Sequence, residues 1–208
     1  LMNYTALVQN IKDFMEDDST EFDSSINTII AQAEEMIFQR LPSLPCFRST
    51  ATGTLVVGTS DYVIPAARMI RNFSVTASSS VSFLDHRIDS YLRDYWPNAT
   101  LTGTPEFYST KSAATAGITV TLAPTPSATL SYQADIIAPE TGLSSGNTNT
   151  WVGDNAENVL LAAALYESSA FLKAQETLSL YKAQFDEAVA LFQQEMGRNY
   201  TAEYNGGI

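Results

Sequence analysis

One cysteine, Cys46, and one histidine, His86, occur in 208 residues, and these two scarcities exclude more chemistry than any motif supplies. A single thiol cannot close an intrachain disulfide, and with one imidazole beside it the chain falls short of the ligand shell of a structural zinc site. A reducing cytosol is the expected place of synthesis. His86 stands in Asp85-His86-Arg87-Ile88-Asp89, where a surface or capping role is expected. Cys46, between Pro45 and Phe47, has nothing local that pairs it with His86 as nucleophile and base.

Other patterns are missing too. Glu167 and Lys173 interrupt the longest apolar stretch, Val159 to Leu172, so no run reaches the roughly 18 residues of a membrane span. The first residues lack the basic-then-apolar layout of a secretory signal, with Asp13, Glu16, Asp17 and Asp18 close behind. The four N-x-[ST] triplets, at Asn3, Asn72, Asn98 and Asn199, therefore carry no expectation of glycosylation. Neither G-x-x-x-x-G-K-[ST] nor G-x-G-x-x-G occurs, and Ser78-Ser79-Ser80 lacks the G-x-S-x-G context. The expected chain is not an enzyme and has no cofactor and no metal.

Basic residues are few, and their placement matters more than the net charge of −12. Residues 1–41 hold 8 acids and 2 bases, residues 42–150 hold 7 and 6, and residues 151–208 hold 8 and 3. An acidic surface of this kind repels phosphate, so tight nucleic-acid binding through counterion release is not expected, while DNA passing without sticking is compatible with it.

What the chain does contain is periodicity. Leu178, Tyr181, Phe185, Ala188, Phe192 and Met196 recur at steps of three and four, which predicts a helix with one buried stripe. Before it, residues 155–173 are apolar on more than one face, through Val159, Leu160, Ala162, Ala163, Ala164 and Leu165. A helix apolar nearly all round needs neighbours on several sides, from its own chain or from another subunit. Near the start, Tyr4 to Met15 reads as a short amphipathic helix. Ser19 or Thr20 then caps a second one, whose stripe runs Phe22, Ile26, Ile29, Ile30, Ala33, Ile37 and Leu41 until Pro42 and Pro45 stop it.

The middle changes period. Alternation predicts three strands between Thr50 and Thr76, and a hairpin in which Ile118, Val120 and Leu122 precede Leu130, Tyr132, Ala134 and Ile136 across Pro124 to Ser127. A covering helix is expected over Val81 to Trp96, with Leu84, Ile88, Tyr91, Leu92 and Tyr95 on its apolar side. Tyr91, Tyr95, Trp96, Phe107 and Tyr108 are expected to form an aromatic lid around Gly103-Thr104-Pro105. The fold expected is α+β: a helical bundle from both chain ends, with an inserted antiparallel β domain carrying one covering helix. Its divisions are residues 1–45, the β insert 46–150 ending in a polar linker from Gly142, the helices 151–197, and a tail 198–208 without helical or strand period.

An ordered set of short motifs adds a family resemblance. Tyr95-Trp96-Pro97, Gly103-Thr104-Pro105-Glu106-Phe107-Tyr108 and Leu122-Ala123-Pro124-Thr125-Pro126 come first. Leu143-Ser144, Asn147-Thr148-Asn149-Thr150-Trp151 and Leu160-Leu161-Ala162-Ala163-Ala164-Leu165-Tyr166-Glu167 follow, then Phe171-Leu172 and Tyr181. In order and spacing over most of residues 20–198, the set resembles the head-to-tail adaptor (connector) proteins of tailed bacteriophages. The resemblance implies a twelvefold homo-oligomeric ring in the virion neck, made in the host cytoplasm. Its partners would be the portal protein and a tail nozzle or tube protein, with double-stranded DNA passing through unbound and no membrane involved.

Three groups of residues then become candidates. Arg198, Tyr200, Tyr204 and Ile208 would dock the tail on the portal, ordering as they bind. Ala163, Tyr166 and Phe171 would meet a neighbouring subunit, and Glu34, Glu35 and Glu195 would face the channel. Two rival readings stay open: a tail-completion or gatekeeper protein of the same particle, and a non-viral carbohydrate-binding β module.

Overall fold

The structure is a computed structural model that describes residues 1–17 and 19–205, with side chains to residue 198. Among the described residues it is mixed α+β, with six α-helices and antiparallel sheets. The chain divides into two compact units, residues 1–42 with 140–208, and residues 43–139.

The first unit is helical. Its elements are α1 (Tyr4–Met15), α2 (Thr20–Arg40), α4 (Trp151–Asn155), α5 (Glu157–Phe171) and α6 (Gln175–Asn205). Asn3 caps α1 by accepting from the Ala6 N–H at 2.8 Å, and Ser19 caps α2 by accepting from Phe22 at 3.3 Å. Every residue of the predicted α2 stripe is buried. Each such isoleucine or phenylalanine contributes about 1.5–3 kcal/mol on leaving water.

Helix α5 packs against α1, α2, α4 and α6, which explains why it is apolar on so many faces. Its start lies slightly later than the expected residue 155. Thr150 caps the short α4 by accepting from Gly153 at 3.1 Å, and α5 begins only after Ala156.

The second unit is two four-stranded sheets and a small pair. The first sheet is ordered β1-β10-β3-β4, from β1 (Arg48–Leu55), β10 (Leu130–Ile137), β3 (Met69–Ala77) and β4 (Ser80–Phe83). The second is ordered β2-β8-β7-β5, from β2 (Asp61–Pro65), β8 (Gly117–Ala123), β7 (Phe107–Ser112) and β5 (Asp85–His86). Strands β6 (Thr102–Gly103) and β9 (Thr125–Pro126) pair by themselves. Leu55, Phe73 and Ala134 from the first sheet and Ile64, Val120 and Leu122 from the second share one core.

Two expectations are corrected here. Strands β8 and β10 do not form a hairpin, because β8 lies between β2 and β7 while β10 lies between β1 and β3. Period-2 alternation identifies a half-buried strand but not its neighbour. The covering helix is only α3 (Asp89–Tyr95), and residues 81–86 belong largely to strands β4 and β5. Leu84 is buried in the sheet core while Ile88 is 70% exposed, so the helical spacing between them is coincidental.

Candidate functional site

Charge, exposed apolar side chains and backbone edges are the surface features that can carry a function here. No group of three or more His, Cys, Asp or Glu able to hold a metal occurs among the described residues. His86 sits exposed on β5 rather than at a helix start, its Nε2 3.4 Å from Thr110 Oγ1 and its ring 5.0 Å from Tyr108. Cys46 is half-buried in the turn Pro45–Phe47.

Charge separates completely between the units. The helical unit carries 17 acids and 5 bases, a net −12, and the β unit carries 6 and 6, a net of zero. Of the three acids expected to face a channel, Glu195 is exposed and lines a groove of about 510 Å³ with Asp154, Glu157 and Glu187. Glu35 is half-buried and accepts from Gln39 Nε2 at 3.3 Å.

Glu34 is half-buried and bonded within its own chain. Its Oε1 accepts the Leu143 N–H at 2.9 Å, and burial pushes its pKa up, opposed by that bond and reinforced by the nearby Glu140 carboxylate. Glu140 does related work one step along, where its two oxygens accept the Trp151 and Val152 N–H groups at 3.0 and 3.2 Å and so occupy the first turn of α4. Asn147 holds the carbonyls of Thr141 and Gly142 at 2.6 and 3.0 Å. The stretch expected as a plain polar linker is thus a strap fixed by side chains. Its far end pairs with the N-terminal residues, Tyr4 N–H to Thr148 carbonyl and Met2 N–H to Gly153 carbonyl, both at 2.9 Å. A Cβ on Gly153 would collide with the Met2 carbonyl, so only glycine fits there.

The subunit-interface candidates separate in the same way. Ala163 has no exposed surface within the single chain, since α5 is already enclosed by its own neighbours. Tyr166 is half-buried, and Phe171 is 39% exposed with its ring 6.1 Å from Phe22.

The aromatic lid exists, with one member moved. Tyr95 and Tyr91 set their rings 5.0 and 5.5 Å from Phe107 in edge contacts, and Tyr95 also donates to Glu106 Oε2 at 3.1 Å. Tyr108 instead lies in the core, 5.7 Å from Phe73. Gly103 is required where the chain passes Pro124, because an added Cβ would come within 2.9 Å of it.

The tail departs most from expectation, because α6 continues to Asn205 instead of ending near Gly197. Tyr181, Phe185, Val189, Phe192, Met196, Tyr200 and Tyr204 follow one another in the sequence at steps of three and four, and the side chains of Tyr200 and Tyr204 lie outside the described ones. Gly197 costs roughly 1 kcal/mol relative to alanine, too little to break a helix of this length. Arg198 is exposed, and Ile208 lies outside the described residues.

These features, spread over both units, coincide with the extent of one family match. A family model described as SU10 adaptor protein covers residues 2–206. The chain belongs to that family. No curated protein matches the sequence. SU10 adaptor membership agrees with the head-to-tail adaptor resemblance and places the chain among structural adaptor proteins of bacteriophages. No helix of this SU10 adaptor is long and apolar enough to cross a membrane among the described residues.

Proposed function

We propose that the protein is a subunit of a twelvefold adaptor ring in the virion neck, joined to the portal on one side and to a tail nozzle or tube protein on the other. The family match, which takes in both units of the chain, carries this reading. In it the two chain ends supply a helical bundle, and the neutral β unit supplies further contacts. The segregation of all net charge to the helical unit supports a channel lined by that unit, in which repulsion leaves double-stranded DNA mobile. Glu195 and Glu35 are the acids proposed to face it. Phe171 and Tyr166 are proposed to meet the next subunit.

The C-terminal end of α6 docks on the portal in this reading, through Arg198, Tyr200, Tyr204 and Ile208. A backbone already helical to Asn205 avoids much of the roughly 1–2 kcal/mol per residue that ordering a coil would cost. Repetition around the ring multiplies a weak contact. Deleting residues 198–208 tests this, since the last buried side chain described on α6 is Phe192. The truncated protein should unfold like the full chain yet lose co-sedimentation with portal assemblies. Undiminished co-sedimentation would contradict the docking role.

A further inference from the structure

The two large sheets have four edge strands, and they differ in how far charge and proline guard them. On the second sheet the β2 edge carries Asp61, ion-paired to Lys111 at 2.7 Å, and ends in Pro65, while the β5 edge is only Asp85–His86 followed by Arg87. Charge, proline and shortness are the devices that keep an edge from pairing with another chain. On the first sheet β4 is short, at four residues, and β1 starts with Arg48, but the rest of both edges carries neither charge nor proline. Its β4 edge reads Ser80-Val81-Ser82-Phe83, and its β1 edge has neither charge nor proline from Ser49 to Leu55. Val81 is 56% and Phe83 70% exposed, and Thr50, Thr52 and Thr54 of β1 are exposed as well.

The ladders fix where the unpaired backbone groups point. Leu84 N–H donates to the Phe73 carbonyl, so by alternation Ser82 and Ser80 face β3 while the N–H and C=O groups of Val81 and Phe83 point away from the sheet. Ala138 N–H donates to the Phe47 carbonyl, and the same alternation turns the backbone groups of Thr50, Thr52 and Thr54 outward at the opposite edge. Register places Phe83 on one face with Ser74, Gln133 and Thr52, and Val81 with Thr76, Ser131 and Thr54. Laid beside each other in two copies, the edges would set valine and phenylalanine against a row of threonines, a favourable combination across strands.

We propose that neighbouring copies join edge to edge, the outer edge of β4 adding to the outer edge of β1 on the next copy. An edge that meets a different edge makes a heterologous contact, which closes into a ring when the rotation permits. The inference rests on the ring reading and adds a contact in the β unit to the one proposed for Phe171 and Tyr166.

Residue-resolved amide exchange, on the free protein and on its assembly with portal, tests the pairing. The amides of Val81 and Phe83 should slow by at least roughly tenfold on assembly, while those of Ser80 and Ser82, already facing β3, stay unchanged. If an assembly forms and Val81 and Phe83 exchange as in the free protein, the edge pairing is wrong and the ring reading stands. If no assembly forms with portal, the ring reading fails and the edge pairing with it. Val81→Pro gives a second test, because it removes an outward N–H and no bond to β3. It should unfold like the parent and assemble at least roughly tenfold more weakly; assembly at parental affinity would overturn the proposal. Phe83→Lys, at an exposed side chain, should act in the same direction if the proline variant fails to fold.

Discussion

The Glu34 carboxylate accepts the backbone N–H of Leu143 at 2.9 Å, and these two residues, 109 positions apart, fasten the strap to α2. The carboxylate is partly desolvated there, so it is both an anchor and a pH-dependent burden.

Replacing Glu34 with alanine leaves the Leu143 N–H without its acceptor and should cost about 1–3 kcal/mol in urea unfolding. Glutamine keeps an acceptor and removes the charge. Folded Glu34 holds its proton to higher pH than the ordinary 4.5, so the folded state binds more protons just above that value. Stability therefore falls as pH rises through the window between 4.5 and the raised folded value, and the penalty persists above it. Glu34→Gln should flatten that slope and be no less stable than the parent at neutral pH. A steeper slope in the glutamine variant would contradict the assignment.

Ala163→Glu places a carboxylate at a position with no exposed surface, inside helices of its own chain. It should destabilise the isolated subunit by about 3–5 kcal/mol, a large share of the stability of a small domain. Thermal unfolding of the single subunit checks this, and an unchanged midpoint would mean that α5 is not enclosed as described.

The helices were the most legible part of the chain, and their legibility has a physical limit. The α2 stripe from Phe22 to Leu41 is buried at every predicted position because a helix facing one core keeps a strict period. Strands β8 and β10 alternate just as clearly, yet alternation reports which face is buried and not which strand lies alongside. The Pro124 to Ser127 segment looked like a turn, but Thr125–Pro126 forms β9 beside β6 while the chain passes between sheets. The strap gave no signal at all, since the Glu34 and Glu140 bonds go to backbone amides and leave no periodic trace. At the C-terminus the row through Met196, Tyr200 and Tyr204 could have been found by extending the α6 spacing past Gly197.

The net charge of −12 on the helical unit predicts the absence of tight duplex binding. Fluorescence anisotropy with labelled duplex at moderate salt should show no saturable association. Binding that weakens steeply with added salt would contradict the prediction and mark a basic surface.

The most direct test of the adaptor reading is the mass of the complex formed when the protein is mixed with its cognate portal. Native mass spectrometry or mass photometry should find twelve copies of the 22.7 kDa chain added to each portal assembly, in a single step of large mass gain. A portal mass unchanged by saturating protein, or a gain of one or two copies without a closed ring, would contradict it.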